Sequence, residues 1–269
     1  MRIIRFLDAN GQIRFGHDCR NGEATLLSGD LFESLHDSGQ RLRVAKLLAP
    51  VQPAAILCIG LNYRQHARET NAELPQYPVL FMKNPAALNH PGDPILLPSS
   101  CMDPPQVDFE VELAIVIGRA AKNVSAADAL NYVFGYTIGN DVSARRWQKH
   151  GGGGQWVRGK SFDTFCPLGP ELVTADLVAD PQQLRLQCLL NGTLMQDANT
   201  ADMIFSVAEL IAYLSDGMTL LPGTVIMSGT PSGVGFARKP PVFLKPGDTL
   251  ALKIENLGTL CNPVAEADE

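Results

Sequence analysis

The chain lacks any excess of positive charge. Its 22 lysines and arginines are outnumbered by 28 aspartates and glutamates, which gives a formal net charge of −6. No overall field therefore attracts phosphate groups, and we expect no nucleic-acid partner. No apolar run reaches the roughly 18 residues that a membrane-spanning helix needs, so no membrane partner is expected either. An anionic substrate still fits the composition, because one buried cation can invert the local charge.

The sequence also lacks paired cysteines. Its six cysteines are scattered, form no CxxC pair and have no nearby histidine at ligand spacing. This pattern is typical of buried thiols in a reducing compartment. Residues 1–7 mix isoleucine with arginine, unlike a signal peptide or a serine-rich transit peptide. We therefore expect a cytoplasmic protein.

Apolar residues, in contrast, are abundant. They make up 45% of the 269 residues, against 19% that are charged, so a sizeable packed core is expected. Apolar runs at residues 55–59 and 113–117 predict buried strands, and Asn191-Gly192 predicts a hairpin turn. The strand–helix alternation of a doubly wound sheet is missing. The fold class is therefore predicted as mostly β with peripheral helices (α+β).

Local signals also mark helices and one more hairpin. Ser206 and Glu209 form the pattern of a capping box in front of an apolar helix. The spacing of apolar residues at 30–38 predicts another helix, and Asn10-Gly11 predicts a hairpin near the N-terminus.

A boundary between two domains is expected near residue 50. Residues 47–53 are punctuated by prolines and are typical of a linker. The sequence thus predicts a small N-terminal domain over residues 1–50 and a larger domain over residues 51–269.

Carboxylates are concentrated where a buried strand is predicted to begin. The two-residue period of a strand places Asp108, Glu110 and Glu112 on one face. Two carboxylates about 4 Å apart repel by roughly 4 kcal/mol at an effective dielectric near 20, so solvent, a cation or a shared proton must offset the repulsion. Asp141 follows another apolar run and offers a third carboxylate. Oxygen ligands without histidine or cysteine select a hard ion such as Mg²⁺, Mn²⁺ or Ca²⁺.

Five motifs follow one another along the chain. They are Gly60-Leu61-Asn62-Tyr63 with His66 and Glu69, then residues 110–114, 140–145, 159–165 and 228–235. Taken together and in this order, they resemble the fumarylacetoacetate hydrolase family over roughly residues 55–265. The sequence around Gln155-Trp156 and at residues 240–245 is especially similar to the fumarylacetoacetate hydrolase domain-containing protein 2 branch of that family. The resemblance implies a mixed β-sandwich roll, usually a homodimer, with one divalent ion, Mg²⁺ by preference, in each active site.

The resemblance also implies roles for individual side chains. It assigns a carboxylate triad to the metal, a histidine–glutamate dyad to a short lid over the substrate, and a lysine to the substrate oxygens. Three further side chains would line the substrate pocket. These residues are, for the metal, Glu110, Glu112 and Asp141; for catalysis, His66, Glu69 and Lys160; and for the pocket, Lys83, Arg145 and Thr230.

The chemistry of these side chains suits a small 2-oxo acid substrate. Residues three apart share a helix face, so Glu69 can orient His66 and raise its basicity, as an activator of water requires. A divalent ion would act as a Lewis acid on the 2-oxo acid, and Lys160 would add positive charge or a proton. The leading hypothesis is Mg²⁺-dependent hydrolysis of a C–C bond in acylpyruvate-type 1,3-diketo acids, in which activated water attacks and a metal-bound pyruvate enolate leaves.

Two other hypotheses remain open. The same site could act on oxaloacetate without hydrolytic water, as a decarboxylase or a keto–enol tautomerase. A protein that keeps the fold but only binds ligands is the third. Residues 154–161 also match the P-loop pattern GxxxxGK[ST], but polar residues precede the match and prolines follow it. A true P-loop connects a buried strand to a helix, so nucleotide binding is not expected.

Overall fold

The computed structural model describes residues 1–267, and within them the protein is mostly β, as predicted. The strands are β1 Arg2–Leu7, β2 Ile13–Arg20, β3 Glu23–Asp30, β4 Ser34–Arg43, β5 Lys46–Leu48, β6 Ala55–Gly60, β7 Val79–Lys83, β8 Leu88–Asn89, β9 Ile95–Leu97, β10 Val107–Asp108, β11 Val111–Ile117, β12 Val133–Asn140, β13 Ser143–Ala144, β14 Cys166–Thr174, β15 Arg185–Leu190, β16 Thr193–Asn199, β17 Thr224–Met227, β18 Thr249–Ile254 and β19 Gly258–Glu266. The α-helices are α1 Arg64–Glu69, α2 Val157–Lys160 and α3 Val207–Ser215. A π-helix spans Trp147–Gly151, and short 3₁₀ helices span Pro85–Ala87, Ser99–Cys101, Ala129–Tyr132, Ala175–Leu177, Thr200–Asp202 and Gly235–Ala237.

Two sheets make up most of the molecule. The larger has the order β4-β3-β2-β1-β14-β12-β11-β17-β6-β7, with β5 added to β1 and β8 to β14. The smaller has the order β16-β15-β18-β19-β9, and β10 pairs with β13 as a separate ribbon. Every residue of β11 is buried, which explains why its sequence after Glu112 is apolar without alternation.

Several local predictions are confirmed. The turns at Asn10-Gly11 and Asn191-Gly192 connect the antiparallel pairs β1–β2 and β15–β16. The capping box is present, because Ser206 accepts from the backbone N–H of Glu209 while the Glu209 side chain accepts from that of Ser206. The predictions made from patterns of a few adjacent residues therefore agree with the folded chain.

The helix predicted at residues 30–38 is wrong. That stretch leads into β4, which pairs with β3 in antiparallel register from Asp30↔Ser34 to Glu23↔Arg43. The apolar spacing reflects contacts of Leu31 with the core rather than one face of a helix. Pairing with a neighbouring strand overrides a weak local preference.

The N-terminal strands are hydrogen-bonded to the rest of the protein through β1. Arg2 and Ile3 of β1 pair with Val173 and Leu172 of β14, while the following residues pair with β2 and β5. The division of the chain near residue 50 stays a prediction.

Candidate metal centre and substrate cavity

The register between β11 and β12 assembles the carboxylate triad. Glu112 lies opposite Gly139, and the backbone N–H of Asp141 donates to the carbonyl of Glu110 at 3.0 Å. The backbone N–H of Glu110 donates in turn to the side chain of Asn140 at 3.0 Å. As a result, carboxylate oxygens of Glu110, Glu112 and Asp141 all lie within 4.8 Å of one another, and the three residues are buried.

Asp108 does not join this triad, although the strand period places it on the same face. The ladder is interrupted at residues 109 and 110, between β10 and β11. The carboxylate of Asp108 instead accepts from the Nη2 of Arg145 at 2.7 Å and from the backbone N–H groups of Gly235 and Phe236 at 2.8 and 3.0 Å. Asp108 therefore anchors a cation and a loop at the edge of the site.

Three buried cations surround the carboxylates. Lys160 Nζ lies 2.8 Å from Glu110 and 2.7 Å from Asp141. Lys83 Nζ lies 2.6 Å from the other oxygen of Asp141, and Arg145 Nη2 lies 2.7 Å from Glu110. Within residues 1–267, Glu112 is the member of the triad that forms no ion pair; it accepts from the backbone N–H of Gly229 at 2.9 Å.

The two glutamates titrate in opposite directions. Burial alone would raise the pKa of Glu110, but the charges of Lys160 and Arg145 outweigh it and lower the pKa to about 2. Burial raises the pKa of Glu112 well above its ordinary value, and the charges of Asp141 and Glu110 raise it further. A divalent cation between the three carboxylates would remove this imbalance, because it supplies Glu112 with the opposite charge that it lacks. The donor set, made of buried carboxylate oxygens, fits a hard divalent ion.

The predicted dyad is formed on helix α1. His66 Nδ1 lies 3.1 Å from Glu69 Oε2, and Glu69 Oε1 accepts from the backbone N–H of Gly233 at 2.9 Å. His66 is only 7% exposed, although it belongs to a short helix near the surface. Since Nδ1 is held by Glu69, Nε2 is the ring nitrogen left for a ligand.

One cavity of about 340 Å³ brings most of the predicted side chains together. It is large enough for a small organic acid. The predicted residues that line it are His66, Glu69, Glu110, Glu112, Asp141, Arg145, Lys160 and Thr230.

Lys83 does not line this cavity. Its ammonium lies behind Asp141 and donates to the backbone carbonyls of Val142 at 3.1 Å, Phe165 at 2.8 Å and Lys160. Thr230 does line the cavity, but its hydroxyl is already engaged, since it donates to the carbonyl of Val111 at 3.0 Å. The direct contact with substrate expected of Lys83 stays a prediction, and its geometry favours holding Asp141 in place.

Other lining residues carried no recognisable sequence signal. Phe81, the adjacent pair Gln148 and Lys149, and Phe236 come from three separate segments. Trp156 also lines the cavity and lies against Gly60, where an added Cβ would approach the indole ring to 2.2 Å. Gly60, at the end of β6, therefore makes room for Trp156. The family motif that contains Gly60 does not by itself reveal this packing role.

The match to the P-loop pattern has no phosphate cradle. Its lysine, Lys160, is held by Glu110 and Asp141. The four-residue helix α2 ends at Lys160, where the helix of a P-loop would begin.

Known proteins resemble this chain over most of its length. The model of the fumarylacetoacetate (FAA) hydrolase C-terminal family matches residues 55–265. A Bos taurus protein named oxaloacetate tautomerase FAHD2B, mitochondrial, is 51% identical over 218 residues, which are 81% of this chain and 68% of that protein. The crystal structure of 2-hydroxyhepta-2,4-diene-1,7-dioate isomerase from Mycobacterium marinum is 39% identical, with a TM-score of 0.84 and coverage of 100% of both chains. Maleylpyruvate hydrolase from Sphingobium sp. SYK-6 is 30% identical, with a TM-score of 0.79 and coverage of 99% of this chain and 100% of that chain.

The expected cytoplasmic location stays a prediction. The bovine relative is named as mitochondrial, which does not fit a plain cytoplasmic assignment. Across residues 1–267, none of the helices combines the length and the apolar character that crossing a membrane requires.

Proposed function

We propose, because this chain belongs to the fumarylacetoacetate hydrolase family, that it is an enzyme of keto–enol tautomerisation acting on oxaloacetate. The observation that carries the proposal is the meeting of the triad of Glu110, Glu112 and Asp141 with the His66–Glu69 dyad in one small cavity. The name of the bovine relative favours this hypothesis over hydrolysis of acylpyruvates, which was the leading one from sequence.

The cavity gives its charged side chains distinct roles. A divalent ion, Mg²⁺ by preference and Mn²⁺ or Ca²⁺ as alternatives, would be held by the triad and would supply Lewis-acid stabilisation of negative charge on the 2-oxo group. Lys83 keeps the carboxylate of Asp141 in position from behind. Burial would lower the pKa of Lys160, but Asp141 and Glu110 outweigh it and raise the pKa, so the ammonium keeps its charge beside the substrate oxygen.

The dyad provides the proton acceptor. Tautomerisation moves one proton between C3 and the oxygen on C2, so a base must reach C3. His66 Nε2 takes the proton from C3 while Glu69 holds Nδ1, and the imidazolium then gives that proton to the oxygen on C2. Conversion of the enol to the keto form runs the same two transfers in the opposite order. No bond between carbon atoms breaks, and no water is consumed.

The proposed activity is tested by following the enol absorbance of oxaloacetate. With Mg²⁺ the protein is expected to speed the approach to keto–enol equilibrium without changing the total oxaloacetate, and EDTA is expected to stop it. Formation of pyruvate and CO₂ would instead identify a decarboxylase. Failure to act on oxaloacetate in either way would refute the proposal.

Replacing His66 by alanine is expected to slow tautomerisation by about 100-fold, the usual contribution of a general base. Imidazole added to the buffer is expected to restore part of the rate, because a free base can then reach C3 through the vacated space. The matched control is His36→Ala, which removes an exposed histidine of β4. A His66→Ala protein with an unchanged rate would exclude the dyad from the reaction.

Hydrolysis of acylpyruvates is the second candidate. The His66–Glu69 dyad is also the arrangement that activates water, and the structural neighbour from Sphingobium sp. SYK-6 is named a hydrolase. Cleavage of acetylpyruvate with release of acetate, at a rate exceeding that of oxaloacetate tautomerisation, would favour it. A small-molecule 2-oxo acid as substrate is common to both candidates, and a homodimer stays a proposal.

A further inference from the structure

Two cations lie against the same aromatic ring at the edge of the cavity. The guanidinium carbon of Arg145 is 4.4 Å from the centroid of the Phe236 ring, and Lys149 Nζ is 4.5 Å from it. All three residues line the cavity. The reaction proposed above uses neither Lys149 nor Phe236.

The backbone that carries the ring is anchored by hydrogen bonds. The backbone N–H groups of Gly235 and Phe236 both donate to Asp108, which also accepts from Arg145. Asp108 is fully buried, so the loop that carries the ring and the cation beside it share one rigid anchor. Lys149 comes from the π-helix Trp147–Gly151, a form often found at functional sites.

The two cations differ in whether they form ion pairs with carboxylates. Arg145 is paired with Asp108 and Glu110 at 2.7 Å each. Lys149, in the part of the chain that the structure describes, makes no ion pair, and the face of Phe236 is its recorded partner. An aromatic face attracts a cation weakly and leaves its N–H groups free to bind an anion. Lys149 therefore adds to the cavity wall a positive charge that is not paired with a carboxylate of the described residues.

We propose that Lys149, held on the Phe236 ring, determines specificity by binding the second carboxylate of a dicarboxylic 2-oxo acid. This inference rests on the proposed function and deepens it, because it selects 2-oxo diacids such as oxaloacetate over 2-oxo acids with a neutral tail. The 2-oxo acid end lies at Glu110, Glu112 and Asp141, and the remote carboxylate lies at Lys149. Phe236 acts as a positioning residue for the ammonium.

The test compares binding of two unreactive 2-hydroxy acids, (S)-malate and (S)-lactate, which differ in the remote carboxylate. Calorimetry with saturating Mg²⁺ is expected to show that Lys149→Met weakens malate by about tenfold, the effect of one charge-assisted hydrogen bond. Lactate affinity is expected to stay unchanged. Phe236→Leu, which removes the ring and keeps the charge, is expected to weaken malate by a smaller factor.

Lys253→Met removes an exposed lysine of β18 and is expected to leave both affinities unchanged. Equal loss for malate and lactate in Lys149→Met, or no loss for malate, would overturn the inference. Because the readout is binding, a selective loss for malate would support the role of Lys149 even in a protein that fails to tautomerise oxaloacetate. An active wild-type enzyme with no such loss would retain the proposed function alone.

Discussion

Replacing Glu112 by glutamine is expected to abolish Mg²⁺-dependent turnover and, at the same time, to stabilise the metal-free protein. The triad loses a charged ligand, and the several kcal/mol of Lewis-acid stabilisation that depend on the ion correspond to about 1,000-fold in rate. In the absence of metal, the same substitution is expected to raise the stability of the protein. Glu112 is the carboxylate without an ion pair among residues 1–267, so removing its charge relieves repulsion from Asp141 and Glu110.

The stabilisation should depend on pH in a defined direction. Burial, with Asp141 and Glu110, raises the pKa of Glu112 in the folded protein. The folded state then binds a proton more tightly than the unfolded state, so this residue's contribution is full below the unfolded pKa and is lost as the pH rises toward the folded pKa. The gap in melting temperature between Glu112→Gln and wild type in EDTA is expected to widen as the pH rises from about 4.5, near the ordinary pKa of glutamate.

Thermal unfolding with EDTA and with Mg²⁺, together with the oxaloacetate assay, measures both effects. Mg²⁺ should raise the melting temperature of wild type and leave that of Glu112→Gln nearly unchanged. Glu33→Gln, at an exposed position, serves as the control and should behave as wild type in every condition. A Glu112→Gln protein that is less stable than wild type in EDTA at neutral pH would contradict the charge argument.

Replacing Lys160 by methionine is expected to lower turnover by about 1,000-fold, in the upper range for removing one preorganised charge from an active site. It should also destabilise the metal-free protein by about 3 kcal/mol, because Glu110 and Asp141 each lose a buried partner. Both carboxylates keep one other cation, Arg145 for Glu110 and Lys83 for Asp141, so the protein should still fold.

Chemical denaturation in EDTA and the rate with Mg²⁺ separate the two consequences. Lys160→Arg keeps the charge and should recover stability more fully than activity, since a guanidinium places its charge differently. Lys253→Met, at an exposed position, provides the matched control. If Lys160→Met kept most of its activity with Mg²⁺, the ammonium would have no part in stabilising the substrate oxygen.

The positions of the triad residues were largely predictable from the sequence. Glu110 and Glu112 share a strand face by the two-residue period, and a buried apolar run follows them directly. Asp141 ends a neighbouring apolar run, and antiparallel pairing of β11 with β12 places it beside Glu110. The assignment of His66 and Glu69 depended on the family motifs, because a histidine three residues before a glutamate is common on surface helices.

Other parts of the site could not be predicted. Asp108 follows the same two-residue period as the ligands, yet a break in the ladder before Val111 turns it toward Arg145. Lys83 lies behind Asp141 because β7 is the edge strand next to β6, a position fixed by the order of the whole sheet. The contact of Lys149 with Phe236 joins segments far apart in the chain, and no local pattern encodes it.

The sequence by itself determined the family, the mostly β class, the hairpin turns, the capping box and the identity of the carboxylates that come together. These features depend on neighbouring residues or on motifs, whose energetics are local. Only the tertiary structure decided which cation meets which carboxylate, which lysine lines the cavity and which stretch near residue 34 becomes a strand. Each of these depends on pairing between distant segments, where burial and charge in three dimensions outweigh any local preference.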